Sequence, residues 1–253
     1  MSKIVSIHSF RGGTGKSNST ANIAATVASY GYRVGIVDTD IQSPGIHVLF
    51  GFDEKNIEHS LNDYLWGRCK IEDTAYDVTT VLREKAKAKS KIFLIPSSIK
   101  AGDIAKILRE GFEFDLLSNG FYDLSEALEL DYLFIDTHPG LNEETLLSLT
   151  ISDTLLIILR PDRQDFQGTA VTVEVARKLG VPKLFLMVNK ALINFDFDAL
   201  KQEVERTYQA PVVGILPHSE EMMQLQSSGI FCLRYPTHPL SQVIEAVAKQ
   251  VIR

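Results

Sequence analysis

Ile4-Val5-Ser6-Ile7-His8-Ser9-Phe10-Arg11-Gly12-Gly13-Thr14-Gly15-Lys16-Ser17 is the stretch on which the fold turns. Its first four residues are rich in β-branched apolar side chains and read as a strand. Gly12, Gly13 and Gly15 then permit a tight turn, in which successive backbone N–H groups can aim at one anion. Over 17–30 the pattern becomes helical, and a helix beginning there adds the partial positive charge of its N-terminus. Strand, glycine-rich turn and helix in that order make a cradle for phosphate. Lys16 is expected to reach the β- and γ-phosphates of a nucleotide, and the Ser17 hydroxyl to ligate Mg²⁺. The usual spacing, G-x-x-x-x-G-K-[ST], would place glycine where this chain has Phe10. The candidate nucleotide-binding residues here are Gly12, Gly13, Thr14, Gly15, Lys16, Ser17 and Asn18, and the expected ligand is ATP with Mg²⁺.

The alternation continues outward. Further strands are expected at 34–37, 92–95, 132–135, 154–159, 184–188 and 212–215, with helices at 121–130, 142–150, 165–179, 196–208 and 240–252. Continuous apolar strands alternating with helices predict an α/β fold, a doubly wound, mainly parallel sheet with helices on both faces. Such sheets bind ligands at the carboxyl ends of their strands. Residues 53–120 are the least regular part.

At 253 residues, with no linker-like or low-complexity stretch, the chain reads as one domain over 1–253. The net charge of −6 does not mark a nucleic-acid binder by bulk charge, though a local patch remains open. The run 83–91 carries five positive charges against one negative. It reads as a solvated segment, with a nucleic-acid or anionic-membrane patch as the alternative. The apolar run 155–159 is too short to span a bilayer, and the N-terminus lacks a signal-peptide layout. Cys69 and Cys232 stand far apart in no metal-binding spacing, as ordinary reduced thiols of a cytosol would.

The strand at 34–37 runs into Asp38-Thr39-Asp40. Carboxylates at the end of a buried strand beside a phosphate loop cost free energy unless they serve a cation or a proton. The strand at 132–135 ends likewise in Asp136, which reads as the carboxylate holding the Mg²⁺ shell. No serine–histidine pair or cysteine points to covalent catalysis. Phosphoryl transfer needs positioning and charge stabilisation, which these segments would supply.

Arg11 to Ser17 resembles the signature [KR]-G-G-x-G-K-[ST] of the deviant Walker A family of P-loop ATPases, which includes the ParA and MinD positioning ATPases. In that family the first basic residue, usually lysine, reaches the partner's phosphates across a nucleotide-sandwich dimer. The resemblance gives Arg11 that place, as an arginine finger in trans. Asp38-Thr39-Asp40-Ile41-Gln42 resembles the family's D-x-D-x-Q switch. By that match Asp40 positions or activates the attacking water, and Asp38 supports Mg²⁺ through its waters. The metal set is then Ser17, Asp38 and Asp136, and the catalytic set Asp40, Lys16, Arg11 and Asp38. Asp136-Thr137-His138-Pro139-Gly140 resembles the second switch D-x-P-P-G, with His138 in place of a proline. Asn189, after its strand, matches the asparagine that reads adenine, and Pro217 matches the G-x-I-P segment beside the base.

Among family members the ParA/MinD group resembles this chain best, since iron–sulfur relatives need cysteines that this chain lacks at suitable positions. The resemblance implies a slow, partner-stimulated ATPase that cycles between an ADP-bound monomer and an ATP-bound homodimer on a surface. Over 240–252 the apolar face reads as a packed domain helix, because membrane anchors of this kind carry a richer basic face. The favoured surface is therefore nonspecific DNA of the nucleoid in a prokaryotic cytoplasm, with a plasmid, chromosome region or protein compartment as cargo and an adaptor as stimulator. A MinD-like membrane regulator and a nonhydrolysing scaffold are the alternatives.

Overall fold

A computed structural model describes residues 2–253. Eight strands form one sheet: β1 (Lys3–His8), β2 (Arg33–Asp38), β3 (Tyr76–Asp77), β4 (Lys91–Ile95), β5 (Tyr132–Asp136), β6 (Thr154–Leu159), β7 (Lys183–Ala191) and β8 (Val212–Pro217). Their order is β3-β4-β2-β5-β1-β6-β7-β8, and every pairing is parallel except that of β3 with β4. The helices are α1 (Lys16–Ser29), α2 (Leu61–Leu65), α3 (Ala101–Glu110), α4 (Phe114–Ala127), α5 (Glu143–Thr150), α6 (Arg163–Lys178), α7 (Phe197–Tyr208), α8 (Glu220–Gln224), α9 (Phe231–Arg234) and α10 (Pro239–Val251).

The doubly wound sheet is thus present, and the apolar runs of the strands explain it. Both faces of each central strand are covered, so no polar alternation is needed. On one face Ile7, Ile36, Leu94, Phe134 and Leu156 pack with α1, α9 and α10. On the other, Val37, Ile95 and Ile135 meet α2 and α4, and Ile157 and Leu186 meet α6 and α7. The last helix buries Leu240, Ile244, Val247 and Val251 on the first face, as a packed helix does.

One expectation needs correction, and one strand is added. The helix expected at 121–130 runs instead over Phe114–Ala127, because Glu129 adopts the left-handed conformation (φ 49°) and breaks it. Tyr76–Asp77 adds an antiparallel edge strand too short to read from sequence. The basic run leaves a 3₁₀ turn (Thr79–Lys85) and enters β4, with Lys87 and Lys89 exposed between them. Both cysteines are free, and burial pushes each thiol up to about 11, which leaves them unreactive. Among the described residues no helix is long and apolar enough to cross a membrane.

Candidate functional site

Strand order does what the linear sequence cannot. β5 lies between β1 and β2, so Asp136 stands in register opposite both Ile7 and Asp38. Two carboxylates thereby end neighbouring strands beside the turn that leaves β1. Lys16, the first residue of α1, reaches into this place and donates from Nζ to Asp136 Oδ1 at 2.9 Å. Thr20, one turn further along α1, donates its hydroxyl to the same oxygen at 3.0 Å. Asp136 Oδ2 is buried with no hydrogen-bond partner in the protein.

Asp38 is fully buried and accepts from the N–H of Asp40 at 3.0 Å and of Gly45 at 3.2 Å. Its pKa is pushed up to about 8, first by burial and then by the charge of Asp136, with Lys16 opposing and Asp40 adding. Asp40 Oδ1 accepts from the Ser43 N–H at 3.2 Å and hydroxyl at 3.0 Å. Asp38 and Asp136 end neighbouring strands beside Lys16, and the buried Asp136 oxygen left without a partner suits a dication that takes its other ligands from phosphate and water. These residues fit Mg²⁺ accompanying a nucleotide.

The loop itself takes the backbone that glycine permits, with φ 77° at Gly13 and 89° at Gly15. A Cβ on Gly15 would meet Asn189 Nδ2 at 2.5 Å. That amide donates to the Thr14 carbonyl at 2.7 Å, and Lys190 Nζ donates to the Gly13 carbonyl at 2.7 Å. Beyond them lies a cavity of about 350 Å³ whose walls include Gly15, Asn18, Asn189, Pro217 and Met222. Asn189 and Pro217 are therefore brought to the phosphate loop, at a cavity roomy enough to admit a nucleobase. Ser17 is half-buried at the start of α1, and Gly12 and Gly13 are exposed.

Arg11 is placed apart from this centre. Its guanidinium lies 3.7 Å from Asp165 and 3.9 Å from Asp162, at the N-terminus of α6. Asp162 caps that helix by accepting from the N–H groups of Gln164 and Asp165, and Asp165 also binds Arg160 at 3.1 Å. Phe10 explains the missing first glycine of the loop, because its ring occupies the space over Gly168 of α6.

Sequence reasoning missed several of these groups. Thr20 could have been found as the i+4 neighbour of Lys16 on a helix. Asp162 and Asp165 could have been found in the turn after β6, at a carboxyl strand end. His138, left outside the site, brings Nε2 to 3.7 Å from Asp40 Oδ1. His8 closes β1 fully buried, with Nδ1 2.7 Å from the Thr137 hydroxyl. No local signal marks either contact.

A family model described as an AAA domain matches residues 2–181. An uncharacterized ATP-binding protein of Methanocaldococcus jannaschii is 25% identical over 253 residues, covering 100% of this chain and 88% of that protein. The septum site-determining protein MinD of Pyrococcus horikoshii, solved with Mg-ADP, superposes with TM-score 0.81 at 20% identity, covering 99% of this chain and 96% of the other. A Borrelia burgdorferi protein described as a putative plasmid partition protein, solved with AMPPNP, gives 0.76 at 20% identity, over 98% of each chain.

Proposed function

The chain belongs to the AAA-domain family matched over residues 2–181 and, within it, to the ParA/MinD group of P-loop ATPases, and from that premise we propose that it is a positioning ATPase switched by Mg-ATP. The observation that carries the reading is the meeting of Lys16, Asp38 and Asp136 at one buried point beside the loop.

In this reading the N–H groups of 12–17 and the N-terminus of α1 hold the phosphates. Lys16 leaves Asp136 for the β- and γ-phosphates when ATP enters. Ser17 and Asp136 would hold Mg²⁺, which would supply neutralisation of phosphate charge, with Asp38 as their supporting carboxylate. Asp40 orients the water that adds to the γ-phosphorus as the bond to the β–γ bridging oxygen breaks. Asn189 and Pro217 border the adenine. Residues 1–253 act as one domain. Arg11 swings from Asp162 and Asp165 to the phosphates of a second copy, which makes ATP the bond between two protomers. The deviant Walker A signature, including its basic first residue, supports this role.

Hydrolysis, slow alone and accelerated by an adaptor, returns the monomer. The surface visited by the dimer is nonspecific DNA. The packing of α10 supports DNA over a membrane, since its apolar face is already occupied. The cargo belongs to the partition class, as for the Borrelia relative.

Light scattering tests the switch. With ATP–Mg²⁺ the molar mass should double, and with ADP or in Arg11→Ala it should not. A doubling that survives Arg11→Ala removes Arg11 from the trans role. A monomer under ATP, with DNA present, refutes the dimer switch.

A further inference from the structure

Arg83, Lys87, Lys89 and Arg234 are exposed, and among the described residues none has a carboxylate within 4.0 Å. Lys91, the next cation of the run, is by contrast paired with Asp77 at 2.7 Å. The cluster is built by the fold. Lys85 Nζ donates to the Cys232 carbonyl at 3.0 Å and ties the 79–85 turn to α9. Arg83 and Arg234 thereby share the walls of one groove of about 850 Å³. The Lys87 stem lies against Gly31, in the turn between α1 and β2.

The location is informative. Lys91 stands opposite Arg33, each the first residue of its strand, so this corner is at the amino edge of the sheet. The phosphate loop is at the carboxyl edge. Two copies meeting through their loops would leave both clusters open.

We infer that Arg83, Lys87, Lys89 and Arg234 form a phosphate-contacting surface for double-stranded DNA of any sequence. This rests on the DNA-binding reading above and assigns it to residues. The uncharged residues between the cations of the run are Ala86, Ala88 and the buried Ser90, and its single acid, the exposed Glu84, stands between Arg83 and Lys85. These spacers are too small to wedge into acyl chains, and among the described residues Tyr235 beside Arg234 is the one large exposed ring adjoining the cluster, whereas sequence-independent DNA binding needs only cations at phosphates. One patch on a chain of net charge −6 binds weakly. Two patches on one duplex make the second contact intramolecular, which raises avidity about 10²- to 10⁴-fold. Nucleotide dependence then follows from dimerisation alone.

Fluorescence anisotropy of a labelled 40-base-pair duplex of arbitrary sequence, titrated with the full chain over a range of salt, tests this. Binding should require ATP–Mg²⁺. Lys87→Ala/Lys89→Ala/Arg234→Ala should weaken it at least about tenfold at low salt. The log–log salt slope should flatten by about 5.4, since the dimer loses three cations from each of its two patches and each phosphate neutralised by a cation accounts for about 0.9. Dimer mass and DNA-free ATP turnover should not change. Unchanged affinity and slope in the variant would overturn the surface and leave the DNA reading standing. A wild-type dimer that binds no duplex would overturn both. Binding to vesicles containing phosphatidylserine, but not to duplex, and abolished in the variant, would transfer the patch to lipid.

Discussion

The ring of Phe10 rests over the backbone of Gly168, in the space that any Cβ there would occupy. The contact ties the start of the phosphate loop to α6, whose N-terminus holds Arg11.

Helix propensity alone predicts that Gly168→Ala stabilises the protein by about 1 kcal/mol. Steric overlap with the ring opposes this at about 1–3 kcal/mol. We expect overlap to win, giving net destabilisation and weaker ATP binding as the loop shifts. In a Phe10→Ala background the same substitution should become stabilising. Urea unfolding of the four proteins reads the reversal, and stabilisation by Gly168→Ala in the wild type would remove the ring from this role.

Lys16 and Asp136 form an ion pair with both side chains almost sealed from solvent, at 7% and 1% exposure. Removing one partner of such a pair costs about 3–5 kcal/mol, because a buried charge is left behind. Thr20 still donates to Asp136, so Lys16→Ala should fall at or below the lower end. The double variant Lys16→Ala/Asp136→Ala should be more stable than Lys16→Ala alone, and neither should gain thermal stability from Mg-ATP. Additive losses in thermal unfolding would show that the pair is not coupled.

His8 and Asp38 set opposing pH dependences. Burial chiefly, helped by Lys16 and His138, lowers the His8 pKa from 6.5 to about 3. Between those values the unfolded chain binds a proton that the folded chain refuses, so this group's stability contribution is lost as pH falls. Asp38 rises from 3.8 to about 8, so between those values the folded chain holds the extra proton and stability grows as pH falls. The two cancel over the shared window. His8→Gln should unmask Asp38, gaining on the wild type by up to about 1.4 kcal/mol per pH unit below 6.5. Urea midpoints at pH 7.5 and 5 that shift equally in both proteins would contradict this.

The strands and the phosphate loop were legible because a parallel sheet covered on both faces turns each strand into a plain apolar run. The carboxylates were legible because they end such runs. The meeting of Asp38 and Asp136 was legible only through the family resemblance, since in the residues themselves it depends on β5 inserting between β1 and β2. The approach of His138 to Asp40 was not legible, because it joins two loops at different strand ends. The end of α4 was misplaced because Leu130 continues an apolar periodicity after Glu129 has broken the helix.

Arg11 illustrates the same limit, and it yields the last prediction. A residue meant for a second protomer must be held somewhere until that protomer arrives, and here Asp162 and Asp165 hold it. Asp165 is buried and already bound by Arg160, so its loss would disturb the helix start. Asp162 is 42% exposed, and exposed pairs contribute only about 0.2–1 kcal/mol. Asp162→Asn keeps an oxygen to cap α6 while removing a charge that Arg11 must leave. Stability should change by less than about 1 kcal/mol. The ATP concentration at the midpoint of dimerisation should fall by up to about fivefold, the equivalent of that pair energy. Light scattering across an ATP titration measures it, and in an Arg11→Ala background Asp162→Asn should no longer move the midpoint. A midpoint that Asp162→Asn leaves in place, or moves upward, would mean that Arg11 is not restrained by this contact.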